Sequence, residues 1–430
     1  MQNMEAENGY VKRVADELLA LQLEAAGVVL IEGAKWCGKT TTALQQAGSV
    51  VFMDEPKRKE EYMRLAQTDI EILLNGIAPR LIDEWQKAPQ IWDACRYTVD
   101  RRGRDGQFIL TGSAEPADQS KLEHTGTGRV GWVKMRPMSL YESGESNGSV
   151  SLGELFENGF KSAEAHELGL RDLCYLVCRG GWPKAIGKSE RAALRQAFNY
   201  VDAVAKREIV EVDAVHRSET NTRRLLRSYA RHQATQATNG TIVADLKANE
   251  GDAISDDTVA SYLNALRKIF VIEDMEAWNP NLRSKAAIRT TNTRYFVDPS
   301  IATAALGLGP SDLMKDLNTL GMVFETLAVR DLRVYADAID GSLFHYRDNN
   351  GLECDSVLHL RNGHYGLIEI KLGGETLINE GASNLNLLAK KIDTGKMYEP
   401  SFLMVLVGTG QYAYRREDGV LVVPIGCLKY

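Results

Sequence analysis

The sequence predicts an α/β protein, and three observations carry that reading. Short apolar runs fit for buried parallel strands alternate with helical stretches over the first third, residues 152 to about 232 repeat apolar residues at helical spacing, and the last third returns to strand-like runs. At 430 residues the chain is long enough for several cores, and the expected division is a parallel-sheet domain over 1–150, a helical lid over 151–235, a winged-helix-like module over 236–300 and a second α/β domain over 301–430. Composition excludes some classes. No apolar run reaches the roughly eighteen residues of a membrane span, and the polar, acidic N-terminus has no signal-peptide pattern, so a cytoplasmic protein is expected. Cys174 and Cys178 are four apart without a matching Cys/His pair and read as helix-face residues rather than zinc ligands. A net charge of −7 argues against coating nucleic acid non-specifically, but leaves local basic sites open.

The first element is "AGVVLIEG", read as a buried strand, followed by Gly33-x-x-x-x-Gly38-Lys39-Thr40 and a helix start at "KTTTALQQA". Four fixed positions of this kind recur by accident in roughly one or two chains of this length per hundred. The order strand, loop, helix is what phosphate binding requires. Backbone N–H groups from Gly33, Ala34, Lys35, Trp36, Cys37, Gly38 and Thr41 would face the phosphates, Lys39 would reach the β/γ oxygens, and Thr40 would offer its hydroxyl to Mg²⁺. Trp36 and Cys37 are bulky for such a loop, but its interior positions offer backbone rather than side chains. The expected ligands are ATP and Mg²⁺.

"VVFMD" (50–54) reads as a second strand, and "APRLIDEWQKAP" holds a third that ends in Asp83-Glu84. The first carboxylate would hold the metal, and Glu84 would orient and polarise the attacking water. "GQFILTGSA" (106–114) is a fourth strand whose exit carries Thr111 and Ser113, with Ser113 taken as the residue that senses the γ-phosphate or positions the water.

"GAKWCGKTT", "LIDEWQKAP", "FILTGSA", "GRVGWVKMRPMSLYE" and "GGWPKAI", in this order, resemble the prokaryotic AAA-type ATP-binding proteins that carry a C-terminal domain of unknown function. The resemblance spans nearly the whole chain and implies a P-loop NTPase fold of the AAA type. It implies Arg129 as a trans-acting or sensor arginine that neutralises charge on the γ-phosphoryl, with Arg101 and Arg102 competing for that role. A trans role would imply a homo-oligomer.

In the middle, "ALRQAFNYVDAVAKREIVEVDAV" and "NTRRLLRSYARHQA" read as long amphipathic helices. Residues 241–276 read helix, turn, helix, with Ser255 as an N-cap, and the strand-like "FVIEDMEAW" and "TRYFVD" complete a winged-helix outline. Asp256 and Asp257 in the first turn of the second helix oppose DNA reading by that helix. The basic run with Arg283, Lys285, Arg289 and Arg294 is the expected wing surface if the module touches nucleic acid, against an architectural or protein-binding role.

The last third reads as a helix, "NTLGMVFETLAVRDL", then successive strands. Glu369-Ile370-Lys371 fits [D/E]-x-K, the tail of the restriction-endonuclease-like signature. Two further tripeptides of this form, at 55–57 and 245–247, show how little the pattern says alone. Geometry separates it: residues 352–360 and 365–372 form a predicted hairpin around "RNGH", with Glu369 and Lys371 on one face and Glu353 with Asp355 on one face of its partner. Asp355 and Glu369 would supply oxygen ligands to a divalent cation, and Lys371 would orient the nucleophile. The resemblance adds Glu325, on the preceding helix, as a further acid of a nuclease-like fold. The competing reading is a cross-strand salt bridge on a solvated face. Two functions follow: an ATP-driven enzyme acting on nucleic acid, with DNA as a partner, or a nucleotide-gated switch whose C-terminal fold is an inactive docking module. A small-molecule kinase fits less well, because the tandem acids favour activating water.

Overall fold

The computed structural model describes residues 9–112, 128–213, 215, 217–251, 254–282 and 288–430. The chain divides into two compact units, one made of 1–137, 204–218 and 264–271, the other of 138–203, 219–263 and 272–430.

The first unit is built on five parallel strands, β1 (Val28–Glu32), β2 (Ser49–Phe52), β3 (Arg80–Asp83), β4 (Phe108–Gly112) and β5 (Val130–Lys134), in the order β2-β3-β4-β1-β5. Both faces are covered, which is why the strands are apolar throughout rather than alternating. Val28, Leu30, Ile82, Phe108 and Leu110 face Tyr62, Leu73, Ile91 and Trp92 of the helices Lys59–Thr68, Ile70–Leu74 and Gln90–Arg102. Val29, Ile31, Leu81 and Ile109 face the opposite way, onto Leu19 and Leu23 of the helix Val14–Ala25 and onto Cys37 and Ala43.

The second unit holds the short strands β6 (Val150–Ser151) and β7 (Ala163–Glu164), a set of helices, and then β8 (Gly341–Arg347), β9 (Glu353–Leu360), β10 (Tyr365–Lys371), β11 (Phe402–Val407), β12 (Tyr412–Arg415), β13 (Leu421–Pro424) and β14 (Leu428–Lys429). Seven of these form a mixed sheet in the order β7-β12-β13-β11-β10-β9-β8. Strands β10, β11 and β13 are parallel at its centre, and β9 and β12 pair antiparallel at either side. The helix Glu375–Lys391 connects the parallel pair β10 and β11 and packs Ala382, Leu385 and Leu388 onto Leu367, Val405 and Val422. Helices and loops of this unit are tied together by a buried ionic group. Arg330, on the long helix Leu317–Ala338, pairs with Asp298 at 3.0 Å and with Asp331 at 2.7 Å. The same carboxylates receive backbone N–H groups from Gly181 at 2.9 Å and Leu140 at 2.9 Å, so the "RPMSLYE" and "GGWP" stretches are fixed to one point.

The middle segment departs from expectation in two ways. The predicted helix at 193–215 runs unbroken only over Glu190–Ala203, then widens into a π turn at Val204–Glu208. Ser255 does cap the helix Asp256–Lys268, accepting from Thr258 N at 3.2 Å. The strand-like segments that were to form a wing, however, touch through two isolated bridges, Ile272 with Phe296 and Met275 with Thr293, and form no strand. Cys174 and Cys178 are buried free thiols on the helix Leu170–Arg179.

Candidate functional site

The end of β1 turns through Gly33 at φ +149°, Trp36 at +70° and Gly38 at +108°, and the helix Lys39–Leu44 follows at once. At Gly33 a Cβ would lie 2.0 Å from the Met135 carbonyl oxygen, so glycine is required there. Cys37 turns its thiol into the core and donates to Met135 O at 3.4 Å, which accounts for a bulky residue inside a tight loop. Lys35 points outward to Glu208 at 2.7 Å. Lys39 is buried, and its Nζ donates to the loop carbonyls of Gly33 at 2.8 Å and Ala34 at 2.9 Å, so it spans the hollow of the loop.

Asp83 ends β3 in register with Thr111 of β4, and Thr111 is in register with Ile31 of β1. Asp83 Oδ1 accepts from Thr40 Oγ1 at 2.7 Å and from Thr111 Oγ1 at 2.6 Å. Thr40 and Asp83 are therefore a pair of hard oxygen donors at the foot of the loop, a set that suits Mg²⁺. Glu84 stands next to them in the left-handed region, φ +57° and ψ +41°, a conformation that costs a non-glycine residue about 1–2 kcal/mol. Its carboxylate accepts from Gln86 Nε2 at 2.6 Å, and burial, then the neighbouring Asp83, push its pKa up.

Ser113 lies outside the described residues, and the hydroxyl on Asp83 is that of Thr111. Arg129 immediately precedes β5, beside Val28, at the edge of the sheet opposite the loop, and pairs with Asp100. At roughly 3.3 Å per residue the sheet separates it from its own loop by on the order of 15 Å, so a sensor role in cis is outside its reach. Arg101 and Arg102 end the helix before β4 and share that far edge, with Arg101 near Glu71 and Arg102 donating to Gln107. A residue that sequence reasoning missed is Arg13. It is buried and donates to Cys37 O at 3.0 Å and Arg136 O at 2.9 Å, clamping the loop from behind.

In the second unit β9 and β10 pair as the expected hairpin. Lys371 Nζ lies 3.2 Å from Asp355 Oδ2 and 2.6 Å from Glu369 Oε2. The face is not solvated: Glu369 is fully buried under the helix Glu375–Lys391, where a Cβ on Gly381 would stand 3.2 Å from that of Glu369. Lys371 is the ion-pair partner of Glu369. Burial, then Asp355, push the Glu369 carboxyl up to about 9. Glu325 accepts from Tyr295 OH at 2.6 Å, and burial, then Asp355, hold its pKa well above the usual range. Asp355 and Glu325 line a polar recess of ≈190 Å³. Among the described residues no three His, Cys, Asp or Glu side chains stand together in a metal-holding arrangement. Glu369 and Asp355, both paired with Lys371, would offer a hard cation a pair of oxygen donors once Lys371 moved aside.

Only part of the basic run at 279–294 is among the described residues. Arg283 and Lys285 lie outside the described residues, and Arg294 is buried, paired with Asp274 at 2.9 Å and donating to Ala237 O and Asn239 Oδ1. Of that run, Arg289 is exposed.

The loop, the strand order and the Thr40–Asp83 pair define a P-loop domain. Residues 25–144 match the family model of an AAA domain, residues 170–312 and 320–428 those of two domains of unknown function, DUF8612 and DUF4143. The first unit thus carries an ATPase domain of the AAA type. Two uncharacterized proteins, Rv2008c of Mycobacterium tuberculosis and Mb2031c of Mycobacterium bovis, are each 24% identical to this chain over 365 residues, which is 84% of this chain and 74% of theirs. Among solved structures, the Walker-type ATPase of Pyrococcus abyssi is similar over 71% of this chain and 98% of its own, at 16% identity and TM-score 0.45. The Aeropyrum pernix ORC2 protein, in ADPNP and ADP complexes, is similar over 62% and 90%, at 16% identity and TM-score 0.27. No helix among the described residues is long and apolar enough to cross a membrane.

Proposed function

We propose that the first unit binds ATP with Mg²⁺ and hydrolyses it. The observation that carries this is the meeting of Thr40 and Thr111 on one oxygen of Asp83, with Glu84 adjacent. Backbone N–H groups of residues 33–41 and the Lys39 ammonium would hold the phosphates, taking Lys39 off the carbonyls it now faces. Thr40 and Asp83 would hold Mg²⁺, which neutralises phosphate charge when bound. Glu84 would take the proton from the attacking water, and a pKa raised by burial brings it closer to neutral pH, where a general base works best. The test compares Lys39→Ala with Glu84→Gln. Lys39→Ala should lose binding of fluorescent ATP, whereas Glu84→Gln should bind normally and release phosphate at least a hundredfold more slowly. Wild-type turnover in Glu84→Gln would sink the assignment.

For the second unit the reading is a metal-dependent phosphodiesterase acting on nucleic acid. Its support is Glu369, fully buried beside Asp355 with Lys371 paired to both, so that two carboxylates and a lysine meet on one face of the β9–β10 hairpin. Lys371 would orient the nucleophile, and Glu325 and Asp355 would flank the scissile phosphate. Asp355→Ala should abolish metal-dependent cleavage and leave ATP turnover unchanged. The switch reading draws its support from Lys371, which already bridges both acids. Wild-type protein that turns over ATP but leaves every nucleic acid intact would favour it.

A further inference from the structure

The phosphate loop holds a second lysine besides Lys39. Lys35 pairs with Glu208 at 2.7 Å, and both residues belong to the first unit. Glu208 closes the π turn Val204–Glu208, in which Val204 and Ala205 are buried, as are Ile209 and Val212 just beyond it. The carboxylate therefore stands on a packed segment, at 17% exposure against 43% for the lysine. π turns are rare inside helices and recur at functional sites. A carboxylate is the wrong charge beside a phosphate loop, since it repels the ligand that the loop N–H groups attract. It fits there in one capacity, as a stand-in partner for a cation that a phosphate can claim. Lys39 shows which phosphate that would be. Its ammonium, which in such loops reaches the β/γ oxygens, rests on the carbonyls of Gly33 at 2.8 Å and Ala34 at 2.9 Å. Those two residues immediately precede Lys35, so a terminal phosphate bound by Lys39 would lie next to the stretch of loop from which Lys35 springs. The flexible stem of lysine can turn its ammonium from Glu208 to that phosphate, which offers more charge and more acceptor oxygens than a carboxylate.

We propose that Lys35 is a ligand of the terminal phosphate that separates ATP from ADP, and that Glu208 is its alternative partner, given up to ATP and kept with ADP. This rests on the reading of the first unit as an ATPase and deepens it. The two residues then act with opposite signs. The lysine adds to ATP affinity, and the carboxylate subtracts from it by competing for the same ammonium. The π turn is held to the loop in one nucleotide state and released in the other, so residues 204–213 carry that state away from the loop.

The test uses the full-length protein and measures binding of a non-hydrolysable ATP analogue and of ADP by calorimetry in Mg²⁺, with a thermal melt of each variant. Lys35→Ala should weaken the analogue about tenfold or more, the scale of a hydrogen bond to a charged group, and change ADP by less than about twofold. Glu208→Gln should do the reverse, tightening the analogue about two- to fivefold, the scale of a half-exposed ion pair, and leaving ADP as it was. Combining Lys35→Glu with Glu208→Lys rebuilds the ion pair with its charges exchanged. The preference for ATP should stay lost, because a carboxylate then stands on the loop. In the wild type, hydrogen exchange over 204–213 should be faster with the analogue than with ADP. A purely structural ion pair gives another pattern: neither single variant alters the ratio of the two affinities, the double exchange restores the wild type, and exchange is equal with both nucleotides. That pattern would overturn the proposal and leave the ATPase standing. Wild-type protein that binds neither nucleotide would remove both.

Discussion

Replacing Thr111 by valine removes one hydroxyl from the ATPase site and little else, since the side chain is 1% exposed and valine matches its shape. Thr111 Oγ1 donates to Asp83 Oδ1 at 2.6 Å, and Thr40 Oγ1 donates to the same oxygen at 2.7 Å. A hydrogen bond to a charged group is worth about 1.5–3 kcal/mol, and here half of the carboxylate's anchoring would go. If that energy serves to hold Asp83 in the geometry that the transition state needs, kcat falls by about 10- to 100-fold, at 1.36 kcal/mol per decade. The KM for ATP should stay near wild type, because Lys39 and the loop are untouched. The assay is phosphate release across ATP and Mg²⁺ titrations, with a thermal melt alongside. A variant that melts normally and keeps its kcat would refute the view that Thr111 positions Asp83. A variant that loses activity only through a raised requirement for Mg²⁺ would locate the effect in metal binding.

Arg330→Met keeps the volume of the side chain but leaves Asp298 and Asp331 buried without their cation, and should cost about 3–5 kcal/mol in a urea titration. His345 gives an acid limb to stability. Burial holds its pKa at about 4, beneath the ordinary 6.5, so the unfolded chain takes up a proton first as the pH falls. The stabilisation is complete above pH 6.5 and is lost between 6.5 and 4, up to about 3 kcal/mol, and His345→Gln should flatten that slope in melts run across the range. Arg129→Ala should leave ATP affinity unchanged, since the sheet stands between that residue and its own loop. A fall in turnover that appears only as protein concentration rises would assign it to a neighbouring copy.

What the sequence made legible was local, and what it hid was register. The loop could be read because its glycines, Lys39 and Thr40 are consecutive, and the β9–β10 hairpin because alternation and a turn lie within twenty residues. That Thr111 reaches Asp83 could not be read from the strand exit. It depends on Asp83 lying in register with Thr111, a fact of sheet pairing. Arg13 carries no signal at all, because its acceptors lie 24 and 123 residues away. Arg294 misled for a related reason: a run of bases without acids looks like a free surface, yet Asp274 reaches it from the segment bridged to it. Likewise, nothing in Glu-Ile-Lys announces that Gly381 lets a helix down onto Glu369 and keeps water from it.

The strand order has one consequence for how the ATPase would work. Because β4 stands between β1 and β3, the loop and the acidic pair are two strand spacings apart, about 9.5 Å, rather than one. Across that interval Thr40, at the head of the helix after the loop, and Thr111, at the tip of β4, both reach one oxygen of Asp83. Any shift of one bank against the other would strain two hydrogen bonds at once, one from the helix after the loop and one from the strand between them.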